Sequence, residues 1–243
     1  METIDSKQSE NFLRLVNLFV VTGKEVLADK FNSIHKCSDL PSVLLTWESY
    51  LRNLATPLTQ SQLQLLYPSP GVYGDSRKWD VALICKLIRE ICSLTPPTTG
   101  WFCFPNDSEA SFEADLTRLN CCRDRFYTTV TKMAVDDVSF AKLWSEVSSV
   151  LVRIASGISA ALGSQWKKSI DKLQCFPVTA AGEENLRQLD IWYRYDLKEC
   201  KELLLRSASH TAKLKRRFVE FNKSDEGLQS ETSVFCFSQR CRI

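Results

Sequence analysis

An arginine standing inside the apolar stripe of a helix is the feature that most constrains how this chain can fold. Across Ser111–Val130, SFEADLTRLNCCRDRFYTTV, the residues Phe112, Leu116, Leu119, Phe126 and Val130 recur at steps of three and four, the spacing of one helical face. Arg123 falls in the same stripe. A guanidinium there loses hydration unless a carboxylate, a carbonyl or a ligand meets it. The other arrangement lays the stem along the helix edge with the head in water. Periodicity admits both.

The rest of the chain repeats the helical period. Phe12, Leu15, Val16, Phe19, Leu27, Phe31 and Ile34 trace an amphipathic helix over about Glu10–Ile34, with Gly23 inside it as a point where a neighbour could approach closely. A second helix starts near Pro41 and carries Leu44, Trp47, Leu51 and Leu54. In LTQSQLQLLYP, Thr59 can cap a short helix, Gln62 can complete a capping box, Leu58 and Leu63 can staple it, and Pro68 stops it. The spacing predicts a further helix from Ser76 to Leu94, ended by Pro96 and Pro97. Asp107 or Ser108 is positioned to cap the helix that bears Arg123. Asp136 can cap the most regular stripe of all, Phe140, Leu143, Trp144, Val147, Val150, Leu151, Ile154 and Ile158, with Gly163 at its end. A short helix over Gln165–Cys175 and a long one over about Thr179–Phe221 complete the series. No segment alternates as a strand does, so the fold class expected is all-α, a helical bundle with a long C-terminal helix.

Charge and cysteine usage exclude several classes of function. The net charge is +2, so no global field draws the chain to nucleic acid or to a membrane. Ten cysteines are scattered without a CxxC pair, and only two histidines accompany them, so no metal site and no cofactor is expected. Cys85, Cys92 and Cys200 lie in apolar stripes, where a free thiol packs as a small hydrophobe. The N-terminal METIDSKQSE lacks an apolar targeting core, and no run approaches the ~18–20 apolar residues of a membrane span. A cytoplasmic setting is the expectation.

Candidate chemistry is sparse. Gly71 and Gly74 in YPSPGVYGDS match no dinucleotide or phosphate-loop pattern and suit turns instead. Asp136 and Asp137 resemble a carboxylate pair, but two acids at a helix start serve as cap and dipole partners. Trp101, Phe102 and Phe104 fit a plug at the core edge better than a base-stacking surface. Lys213, Lys215, Arg216 and Arg217 form a basic cluster that can touch phosphates or an acidic partner, or simply favour a helix C-terminus.

Taken together, GKEVLADKFNSIH from Gly23, LLYPSPGVYGDS from Leu65, DVALICKLIREICSLTPPTTGW from Asp80, FEADLTRLNCCRDRFYTT from Phe112, DDVSFAKLWSEVSSVLVRI from Asp136 and IDKLQ from Ile170 form a combined pattern. Through it the chain resembles the animal branch of the HEPN (higher eukaryotes and prokaryotes nucleotide-binding) superfamily. That branch sits at the N-termini of DAZ-interacting zinc-finger RNA-binding ubiquitin ligases and of NACHT-type immune receptors. The likeness covers roughly residues 10–205. The superfamily signature is an arginine, a polar residue, and a histidine four to six positions on. In this chain those positions are Arg123, Asp124 and Thr129.

The resemblance implies that active members build a metal-independent RNA-cleaving site from two subunits, arginine holding the scissile phosphate and histidine moving the proton. Threonine does not titrate near neutral pH. His35 near the first helix's end and His210 on the late helix lie far from the motif. The expectation is therefore a non-catalytic module acting by dimerisation or protein–protein contact, in an innate-immune or ubiquitin-linked assembly. Its partner would be a second copy or another HEPN-like chain. RNA binding through Arg123 and the basic cluster, or cleavage completed by a partner's histidine, are the alternatives. The expected organisation is an arm over 1–9, a bundle over 10–163, a helical extension over 164–222 and a tail over 223–243.

Overall fold

A computed structural model describes residues 6–54, 57–127, 133–175, 185–194, 198 and 201. The chain divides into two units, Met1–Glu199 and Cys200–Ile243. The first holds helices α1 (Ser6–Val16), α2 (Gly23–Ile34), α3 (Leu40–Arg52), α4 (Gln60–Leu66), α5 (Val81–Ile91), α6 (Phe112–Tyr127), α7 (Asp137–Ser156) and α8 (Ala160–Cys175). Residues 185–194 are also helical. Among the described residues there is no strand, only a single bridge between Ser69 and Val72, so the fold is the all-α bundle that the periodicity implies.

The predicted first helix is interrupted. Between α1 and α2, Asn17–Thr22 is wound as a π-helix, and the Gly23 N–H donates to the Leu18 carbonyl. Insertions of this kind re-aim side chains without breaking the helix. Here the wide turn carries Leu18, Phe19 and Val20 into the core together. Gly23 admits no unusually close neighbour, since a Cβ there would sit at ordinary contact distance, 3.5 Å from the Leu18 oxygen. The helix also begins earlier than its apolar pattern, at Ser6, because polar contacts hold its first turn. Lys7 pairs with Asp137 at 2.5 Å, and the Gln8 carbonyl accepts from the Val135 N–H at 3.0 Å.

Local signals mark most other boundaries correctly. Thr59 and Gln62 form the reciprocal capping box on α4, and Pro41 sits in the first turn of α3. Asp136 caps α7, accepting from the Ser139 N–H. Other boundaries differ. α8 begins at Ala160, ahead of Gln165, and Asp80 caps α5, accepting from the Leu83 N–H. The predicted helix over Ser76–Leu94 is a 3₁₀ turn at Ser76–Lys78 followed by α5. The cap of α6 is Ser111, whose hydroxyl accepts from the Ala114 N–H at 3.2 Å, rather than Asp107 or Ser108. Gly157, not Gly163, closes α7. Gly163 lies inside α8, where a Cβ would strike Ser156 as the two helices turn back on each other.

α7 is the helix that most others pack on: it carries α6, α8, α1 and α2, while α5 lies against α2. Phe126 of α6 stacks on Phe19 at 5.4 Å and meets Phe12 at 5.3 Å, so the π-helix and α1 converge on one aromatic group. Each fully buried ring or leucine of this kind contributes about 1.5–3 kcal/mol. Trp101 and Phe104 pack against the core edge, and Phe104 lies under Arg125 at 4.6 Å.

Gly74 sets the tightest backbone approach in the connection between α4 and α5. Its N–H donates to the Leu66 carbonyl at 2.8 Å, and a Cβ would collide with the Leu65 carbonyl oxygen. That oxygen also accepts from the Trp79 indole at 3.2 Å and cannot retreat cheaply. Gly74→Ala should cost about 1–3 kcal/mol in denaturant unfolding, the range for an overpacked core position. Alanine at Gly100, where an added Cβ meets nothing within 4 Å but φ is 81°, should cost less, about 1 kcal/mol.

Candidate functional site

α6 is buried on nearly every face, and that is unusual for a helix holding so many polar residues. Asp115, Thr117, Arg118, Asn120 and Arg123 are all buried alongside Leu116, Leu119 and Phe126. The guanidinium of Arg123 is wholly withdrawn from solvent. It donates from Nε and from Nη2 to Oδ1 of Asp124, at 3.1 and 2.5 Å. Consecutive helical residues do not face one another, so the carboxylate has to bend back from the bundle rim, and Asp124 is itself half exposed. Of the two arrangements open to Arg123, the one in which a carboxylate meets it is therefore realised. Its head does not reach water.

A second group roofs the same cation. The ring of Trp192 lies over the guanidinium, 4.6 Å from Cζ to the ring centroid. A desolvated contact of this type is worth up to about 2 kcal/mol. Trp192 is fully buried and also meets Phe19 edge-on at 6.4 Å. One residue further on, Tyr193 stacks on Tyr127 of α6 with centroids 3.8 Å apart and planes 9° apart. The Tyr127 hydroxyl donates to Asp190, which also accepts from Arg194 Nε at 2.8 Å. Burial and the neighbouring Asp190 carboxylate raise the Tyr127 phenol. Burial alone would raise Asp190, but its bonds from Arg194 and Tyr127 outweigh that and lower it.

A second polar knot lies at the other end of α6. Asp115 accepts from Arg118 at 3.1 Å and is gripped by Arg153 of α7 through Nε and Nη2, at 3.0 and 2.6 Å. Arg118 also donates to the carbonyls of Asn106 and Glu109, at 2.7 and 2.6 Å. One carboxylate thus ties α6 to α7 and to the loop before α6. Removing it would strand a buried arginine, the costly way to break such a pair.

Thr129, Lys213, Lys215, Arg216, Arg217 and His210 lie outside the described residues. Of the predicted site residues, Arg123 and Asp124 are the two placed, and they are placed together. His35 is the C-cap residue of α2, its ring 5.2 Å from Phe31, which suits a packing role. Asp136 and Asp137 act as cap and as partner to Lys7 and Asn11. Among the described residues no group of histidine, cysteine or acidic side chains is arranged to hold a metal, and no helix is long and apolar enough to cross a membrane. The surface also carries grooves. One, of about 660 Å³, runs between α3, α4 and the loop at Pro70; another, of about 560 Å³, lies between α7 and α8. In the first, burial and then Glu48 push the Tyr67 phenol up to about 12.

Sequence reasoning missed the cover. IWYRYD carries three aromatics within six residues, and that density was the available signal. Its register against α6 depends on the path of the chain after α8, which periodicity does not encode.

Comparison with known proteins follows the same segment of the chain. The family model described as DZIP3/hRUL138-like HEPN matches residues 37–186, which include Arg123 and Asp124. The E3 ubiquitin-protein ligase DZIP3 of Homo sapiens is 27% identical over 173 residues, 69% of this chain and 14% of the ligase. The protein of the same name from Mus musculus is 28% identical over 149 residues, 59% of this chain and 12% of that ligase. The chain thus spans a small part of the length of these relatives. No solved structure matches.

Two outcomes follow from this geometry. Arg123→Ala should lower stability by about 2–4 kcal/mol, since it removes a buried side chain, its carboxylate pairing and its aromatic roof together. Arg123→Met should recover much of that loss, because an apolar side chain of similar volume removes the charge without leaving a cavity. An arginine serving only a ligand would leave both unfolding midpoints unchanged. Thiol labelling at pH 8 should also divide the cysteines. Burial holds Cys92 and Cys122 up at about 12 and Cys121 at about 11, so these should react far more slowly than exposed Cys37, Cys103 and Cys175.

Proposed function

The chain belongs to the DZIP3/hRUL138-like HEPN family, and from that premise we propose that it is a non-catalytic helical module that works by protein–protein contact in a ubiquitin-linked assembly. One observation supports this above the others: the guanidinium in the family's phosphate-holding position is buried, neutralised by Asp124 and covered by Trp192. A group that has to meet a scissile phosphate needs a path to it, and this one is enclosed by its own chain. Thr129 adds to the case, because a hydroxyl in the histidine position has no proton to exchange near neutral pH. With both chemical roles reassigned, what remains is a rigid bundle whose surface can be read by a partner.

The partner that suits such a module is a second HEPN-like chain, identical or not, paired through a shared face. The relatives are E3 ubiquitin-protein ligases, and the setting that suits this module is a ubiquitin-linked assembly whose components it holds together. RNA binding is the competing reading, and it rests on Lys213, Lys215, Arg216 and Arg217.

The full chain should sediment as a dimer, or form a mixed complex when another HEPN-like chain is added. It should leave single-stranded RNA intact without added metal and show no binding that falls with salt. Cleavage by the unmodified chain would overturn the non-catalytic assignment. Salt-sensitive binding lost in the Lys215/Arg216/Arg217 triple alanine variant would instead establish the RNA reading.

A further inference from the structure

We propose that the 185–194 helix is a strap that closes over Arg123 and opens as a unit of its own, so that it sets access to the arginine-bearing face of α6. This goes beyond the contact-module reading and bears on it, since the closed strap is what denies Arg123 a path to a phosphate and the open one would supply it.

The closure is made by side chains. Trp192 covers the Arg123 guanidinium at 4.6 Å, Tyr193 stacks on Tyr127 at 3.8 Å, and Asp190 accepts from the Tyr127 hydroxyl. At the strap's start, Asn185 donates to the Asn17 side-chain oxygen at 3.3 Å, and Leu189 is the other fully buried anchor. Release of these groups from α6 is local unfolding of this stretch of chain, with the chain entropy that unfolding returns.

The closed state is under tension from polar groups. The buried Trp192 Nε1 has no hydrogen-bond partner among the described residues. The buried Asn120 amide lacks one on both its nitrogen and its oxygen. Asn120 lies one turn before Arg123 and Asp124, on the α6 face that Tyr127 continues. A buried donor or acceptor left unpaired forfeits its hydration without recompense, and opening restores water to the indole N–H. The surface uncovered tolerates solvent as well. Arg123 keeps Asp124 at 2.5 Å, with that carboxylate already half exposed, so opening reveals an ion pair that water can stabilise. The family match stops at residue 186, and Asp190, Trp192 and Tyr193 lie beyond it.

Hydrogen exchange and arginine labelling on the full chain test this together. In the wild type, amides of the strap should exchange about a hundredfold faster than those of α7, the signature of a separate opening unit. Labelling of Arg123 by phenylglyoxal, mapped by peptide mass, should proceed at a rate that follows strap opening. Trp192→Ala should raise that labelling by about tenfold or more while α7 protection stays unchanged. Tyr127→Phe removes only the hydroxyl bond to Asp190 and should raise it several-fold; it serves in place of Trp192→Ala if that variant fails to fold. Equal protection of strap and α7 would overturn the proposal, as would Arg123 labelling that appears only with global unfolding or does not track the strap.

Discussion

Burying a guanidinium at the centre of a helical bundle sets terms that the surrounding structure has to meet. Arg123 gives up its hydration, and the loss is offset by Asp124 on its own helix and by the face of Trp192 from a distant part of the chain. Neither alone is enough: the carboxylate supplies charge but sits at the rim, and the indole supplies contact but no charge. The aromatic group of Phe12, Phe19 and Phe126 fills the space beneath, and the π-helix at Asn17–Thr22 brings Phe19 into it. The irregular turn, α6 and the strap thus form one packing problem around one cation.

The same logic recurs at Asp115, where a buried carboxylate is met by two arginines from different elements. Each knot sits at one end of α6, and each couples that helix to a neighbour: α7 and the loop before α6 at one end, the strap at the other. Buried ion pairs of this kind contribute less to net stability than to fixing which element lies where, because a misplaced partner strands a charge.

Much of the fold was legible in the residues. The stripe from Phe140 to Ile154, the capping box at Thr59 and Gln62, and the cap at Asp136 are local signals, and local physics honours them. Where the reading slipped, the cause was a contact from elsewhere. Gly163 has the residue type of a helix stop, yet it stands inside α8 because Ser156 leaves no room for a side chain. Ser111 displaced two nearby candidates as the cap of α6 because Arg118 holds the Asn106 and Glu109 carbonyls and so fixes where the loop ends. Asp115, Thr117, Arg118 and Asn120 gave no apolar signal and are buried all the same, since a helix surrounded on all sides buries its polar residues too.

By itself, the sequence determined the class of the fold, the order of most of its helices, and the caps of α4 and α7. These follow from composition and spacing along a few turns of chain. Whether Arg123 faces water, a ligand or its own protein was decided only by tertiary structure. The answer depends on Trp192 arriving from beyond α8, and no periodicity in either helix records which remote ring will lie over which cation.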